Sequence, residues 1–132
     1  MKRHQKALLL SKAYEFAHAV NGNILELKYP IVISIQLSKK FAQSLNGLYI
    51  FENVNVPILH DITISAWHNN TDELLFDTVV HELCHAKQIE TGNYDNYLPH
   101  DDFFFDTLNK ILVNSELEEV DQEYINLMRS VD

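Results

Sequence analysis

The chain has 132 residues, 46% of them hydrophobic and 22% charged, with a net charge of −9. This is one ordinary globular domain spanning residues 1–132, large enough to bury a core without staples. The single cysteine, Cys84, excludes an internal disulfide framework, and no apolar run approaches the ~18 residues of a membrane span or the ~7 of a secretory h-region, so a cytoplasmic protein without membrane contact is expected.

The charge is uneven. Residues 1–40 carry seven basic groups against two acidic ones, and the remainder carries three against seventeen. An acidic body of this kind does not coat nucleic acid; the basic start reads as a solvated face. In chain order, residues 3–20 show helical periodicity through Leu9, Ala13, Phe16, Ala17 and Val20, with Asn21-Gly22-Asn23 as a stop. The β-branched run 31–37 reads as a strand, followed by strands at 47–51 and 61–65, with Asn53, Asn55 and Pro57 in the loop between the last two. These segments lie too close together for helical crossovers, which predicts a small, mostly antiparallel three-stranded sheet.

Asn70-Thr71-Asp72-Glu73 then has the form of a helix start, with Asn70 as cap and Glu73 three residues on. Leu75, Val79, Leu83 and Ala86 mark one apolar stripe that runs to about Thr91, and Gly92 suits the position past the end. A loop over 93–99 leads to a helix at 101–113. Ser115 to Glu118 reads as a fresh capping box opening a last helix, with Leu117, Val120, Tyr124, Leu127 and Met128 as its core face. The predicted class is α+β: an N-terminal helix, a small sheet, a central helix and two C-terminal helices.

The central helix contains His81-Glu82-Leu83-Cys84-His85. Four residues turn a helix by about 400°, so both imidazoles leave one face and can share one Zn²⁺. Glu82 projects about 100° from His81, placed to take a proton from a water the metal activates. Catalytic zinc usually has three protein ligands. Of the downstream candidates Glu90, Asp95, His100, Asp101, Asp102 and Glu116, His100 is favoured because it ends a loop and offers the nitrogen zinc prefers; a nearby acid stays open. Cys84 points off the histidine face and reads as a small buried hydrophobe. Trp67 and His68 are candidates for a substrate cleft, and Tyr94 and Tyr97 for an oxyanion donor. The aromatic run 103–105 is expected to plug the core below the metal.

The run DELLFDTVVHELCHA over residues 72–86 resembles the metallopeptidase helix of the SprT-like family, which includes the Spartan DNA–protein crosslink proteases. Asp61-Ile62-Thr63-Ile64-Ser65 resembles the strand that precedes that helix. Pro99-His100-Asp101-Asp102-Phe103-Phe104 resembles the family's Gly-His-Gly element with the glycines lost, and residues 39–47 occupy the place of its variable connector. The similarity covers roughly residues 5–113. It implies a zincin-like fold, one Zn²⁺ held by His81, His85 and His100, Glu82 as general base, and a protein or peptide substrate cleaved by an activated water. The four-cysteine zinc ribbon of many relatives is missing, and residues 114–132 are acidic where a basic DNA-binding tail would stand. DNA association is thus an implication by analogy that the net charge does not support. The size suits a minimal stand-alone version such as a phage or mobile element encodes, which would work in the host cytoplasm. Two rival readings are a catalytically silent zincin-fold module that grips a partner protein, and a zinc hydrolase acting on something other than peptides.

Overall fold

A computed structural model describes residues 2–37, the main chain of 47–52, and residues 59–95 and 97–130. The loop expected to carry Asn53, Asn55 and Pro57, and the connector expected at 39–47 apart from Gly47, lie outside the described residues. The architecture is α+β, with helices packed on a small sheet. Its elements are α1 (Arg3–Val20), β1 (Ile31–Gln36), β2 (Gly47–Glu52), β3 (Leu59–Ser65), α2 (Asp72–Thr91), α3 (Asp102–Asn114) and α4 (Gln122–Ser130). No described helix is long and apolar enough to cross a membrane.

Helix α1 buries Ala13, Ala17 and Val20, with Leu9 and Phe16 partly covered. The two alanines let its backbone come close to its neighbours. The chain does not stop at Asn21-Gly22-Asn23 but makes one further π-helical turn over Asn21–Leu25. That turn closes at Glu26 in a left-handed conformation (φ 51°), and the Asn21 side chain accepts the Leu27 N–H at 2.7 Å.

The sheet corrects the expected strand pairing. Its order is β1-β3-β2, with β1 parallel to β3 and only β2–β3 antiparallel, so the sheet is mixed rather than mostly antiparallel. The spacing argument weighed each strand only against its neighbour in sequence. The chain instead lays β2 beyond the place of β3 and brings β3 back between the two, so that β3 runs parallel to β1 and antiparallel to β2. Ile33 pairs with Ile62 and Ile35 with Ile64, and Ile31, Ile33 and Ile35 share the buried face with His60, Ile62 and Ile64. Against that face lie Leu75, Val79 and Leu83 of α2, and the core continues through Phe104, Leu108 and Ile111 of α3.

His60 falls on the apolar face by strand alternation and is fully buried, so its ring needs a partner. Glu90, in the last turn of α2, supplies one: His60 Nε2 lies 2.7 Å from Glu90 Oε1. The same carboxylate accepts the backbone N–H groups of Lys28 and Tyr29 at 2.9–3.0 Å. Burial on its own would raise the Glu90 pKa, but these donors outweigh it and hold the group below the usual carboxylate range.

The helix ends differ in detail from the sequence reading. The α2 cap is Thr71, whose hydroxyl accepts the Leu74 N–H, and not Asn70. Gly92 closes the helix at φ 73°, the left-handed position a glycine adopts without Cβ strain. Ser115 does not open a helix. The α3 terminus forms a Schellman closure in which Leu117 N–H reaches Leu112 O and Glu116 N–H reaches Val113 O, with Glu116 left-handed at φ 61°. The last helix starts at Gln122 behind Asp121, whose side chain accepts the Tyr124 N–H. Ile125 and Met128 of this helix pack on the core, as does Val120 just before it, while Leu117, Tyr124 and Leu127 are exposed.

Candidate metal centre

His81 and His85 stand one turn apart on α2, and His100 arrives from the segment that leads into α3. Their ring centroids form a nearly equilateral triangle, 5.0 Å for His81–His85, 4.9 Å for His81–His100 and 5.1 Å for His85–His100. One potential ligand atom from each lies within 4.8 Å of the other two. These three residues could therefore hold a metal ion. Below them sits the fully buried Phe104, its ring centre 4.9 Å from His81, 4.9 Å from His85 and 4.8 Å from His100. The aromatic run thus supplies a floor to the cluster, through Phe104.

Electrostatics keep the three rings neutral. Burial, then the proximity of His85 and His100, lowers the His81 pKa to about 3. Burial, then His85, lowers that of His100 to about 4, although Asp101 works in the opposite sense. His85 is also lowered by burial, against the raising effects of its hydrogen bond to Gln88 and of Asp101. A neutral imidazole keeps one lone pair, the state a metal ligand needs. Two nitrogens bound tetrahedrally to one ion at ~2.1 Å stand roughly 3.4 Å apart. His81 Nε2 and His100 Nε2 stand 3.1 Å apart. The donor set and its spacing fit a divalent ion that favours imidazole.

Four of the five competing carboxylates are engaged elsewhere. Glu90 binds His60 and two backbone amides. Asp101 caps α3 through the Phe104 N–H at 3.0 Å. Asp102 pairs with Arg129 at 2.5 Å, Asp95 accepts the Tyr97 N–H, and Glu116 sits in the α3 closure. No known family model, curated protein or solved structure matches this chain. The case for a site rests on its own geometry.

Glu82 is buried, 7% exposed, and burial pushes its carboxyl up to about 8. Cys84 is fully buried beside it, as a small hydrophobe would be, and burial raises its thiol. Tyr94 lies edge-on to His85, with ring centres 6.1 Å apart. Tyr97 is 96% exposed and makes no ring contact with the histidines. Trp67 and His68 are exposed in the turn after β3, where the Trp67 indole N–H donates to Leu37 O at 2.8 Å.

Two residues of the site escaped the sequence reading. Gln88 is fully buried; its Oε1 lies 2.7 Å from His85 Nδ1, and its Nε2 donates to Pro99 O and to Asp101 Oδ1. Its place three residues after His85, on the same helix face, was a legible signal. Arg129 of α4 donates through Nε to His100 O at 3.3 Å and stacks over Phe105 at 5.5 Å. Nothing in the local pattern around Arg129 pairs it with residue 100.

Proposed function

We propose that this protein is a zinc-dependent endopeptidase, a minimal SprT-like metallopeptidase, whose substrate is a protein or peptide. The observation that carries the reading is the convergence of His81, His85 and His100, with Glu82 following His81 in the same helix. In this reading His81, His85 and His100 hold the ion. When bound, zinc supplies Lewis acidity that polarises a carbonyl and makes water more acidic.

The chain's own groups do the rest. Glu82 has no hydrogen-bond or ionic partner among the described residues, so no neighbour competes for its proton-accepting oxygens. Burial alone favours its neutral form, and a divalent ion on the three histidines would favour the carboxylate; in that form it takes the proton of the attacking water and delivers it to the departing amine. Tyr94, whose ring lies edge-on to His85, is in this reading the phenol that donates to the tetrahedral oxyanion. Phe104 closes the underside against water. The acidic balance of the chain favours a protein substrate engaged without a nucleic-acid scaffold.

The test compares Glu82→Gln with His81→Ala, by zinc content and by hydrolysis of a denatured protein with and without DNA. Glu82→Gln is expected to keep zinc and lose hydrolysis, and His81→Ala to lose both. Full activity in Glu82→Gln would overturn the assignment.

A further inference from the structure

We infer that Gln88 is a positioning residue of the metal centre, fixing the tautomer of His85 and holding the segment that carries His100. The inference rests on the proposed metal reading. It starts from hydrogen-bond capacity. A glutamine Oε1 only accepts, so at 2.7 Å the His85 Nδ1 must carry the hydrogen. A neutral imidazole protonated at Nδ1 has its lone pair on Nε2, so His85 presents Nε2 as its ligand atom. Metal-bound histidines commonly have this arrangement, the second nitrogen donating to an oxygen that fixes the ring.

The amide's other end anchors the remaining ligand. Gln88 Nε2 donates to Pro99 O at 2.8 Å and to Asp101 Oδ1 at 3.1 Å, the two residues that flank His100. One buried side chain therefore links His85 on α2 with the two residues that flank His100, through the Pro99 carbonyl and the Asp101 carboxylate. Asp101 also accepts the Phe104 N–H, which ties the same network to the ring below the three imidazoles. Gln88 has no exposed surface and all three of its bonds go to this centre, so packing alone does not account for a polar residue here. Arg129 provides a comparison: it holds the His100 carbonyl and Asp102 but has no bond to an imidazole nitrogen in these contacts.

The experiment uses the full chain with Zn²⁺ alone as probe, measuring affinity by chelator competition and the His85 tautomer by ¹⁵N NMR of the metal-free protein. The wild type is expected to show His85 protonated at Nδ1. Gln88→Leu, close in volume and without hydrogen-bonding atoms, should bind zinc 10- to 100-fold more weakly. It should also lose the single tautomer and alter the visible spectrum of the Co²⁺-substituted protein. Arg129→Leu should weaken zinc binding less and leave the tautomer unchanged. An Nε2-protonated His85 in the wild type overturns the inference even if Gln88→Leu does not fold. Zinc binding in Gln88→Leu within threefold of wild type also overturns it. A wild type that takes up no zinc, yet keeps His85 protonated at Nδ1, sinks the metal reading and leaves the tautomer assignment standing.

Discussion

Replacing Glu90 by alanine separates the structural carboxylate of α2 from the three histidines that could hold a metal. The substitution removes the acceptor for three donors: the backbone N–H groups of Lys28 and Tyr29 and the His60 ring. The backbone donors lie in an exposed segment and can return to water. His60 is fully buried and cannot. Leaving a buried polar group without its acceptor costs about 1–3 kcal/mol, so Glu90→Ala should lose about 1–3 kcal/mol. Against a domain stability of about 5–15 kcal/mol this leaves a folded but weakened protein. Urea denaturation followed by circular dichroism measures the loss, and chelator competition at low temperature measures zinc affinity, which should stay near the wild-type value. The pH dependence has a definite sign. The folded-state pKa of Glu90 is depressed, so its contribution is complete above the unfolded value of about 4.5 and is lost as pH falls through the folded value. Glu90→Gln should therefore flatten the acid limb of the stability curve. A loss below 1 kcal/mol in Glu90→Ala, or a fall in zinc affinity while the protein remains folded, would refute the reasoning.

Two further outcomes follow from the same structure. Glu116 occupies a left-handed position at φ 61°, which costs a residue with a Cβ about 1–2 kcal/mol, so Glu116→Gly should gain about 0.5–1 kcal/mol after the entropic cost of glycine, read as a rise in melting temperature of a few degrees. If the three histidines bind zinc only in the folded state, zinc at about 100 times its Kd should add about 2.7 kcal/mol, seen as a melting shift absent from His100→Ala; equal shifts in both proteins would remove His100 from the ligand set.

The central helix was legible because it satisfies several local rules at once. Its apolar residues recur at helical spacing, Gly92 ends it in the conformation glycine favours, and His81 and His85 fall one turn apart whatever surrounds them. His100 was legible as chemistry, by donor type and loop position. The sheet order was not, because pairing partners are chosen across the fold, and the return of β3 between β1 and β2 leaves no mark in strand spacing. The last helix was misplaced for a related reason. Ser115-Glu116-Leu117-Glu118 suits a capping box, but the free carbonyls of α3 were nearer, and the Leu117 and Glu116 amides satisfied them first. Asn109 Oδ1 then holds the Val120 N–H, which carries the chain to its start at Gln122 and turns Leu117 and Leu127 outward. Gln88 shows the remaining gap: its spacing from His85 is visible, but Pro99 and Asp101 become its partners only once the chain returns.

Phe104 belongs to the hydrophobic interior and also meets the three imidazoles from below. A cation held by those three rings would have the hydrocarbon of Phe104 on that side. An ion, and whatever it met, would then have to arrive from the other side, past the partly covered edges of His81 and His85. Such one-sided entry makes the order of arrival a property of the scaffold: whatever lodges first at the rim decides what can follow it in.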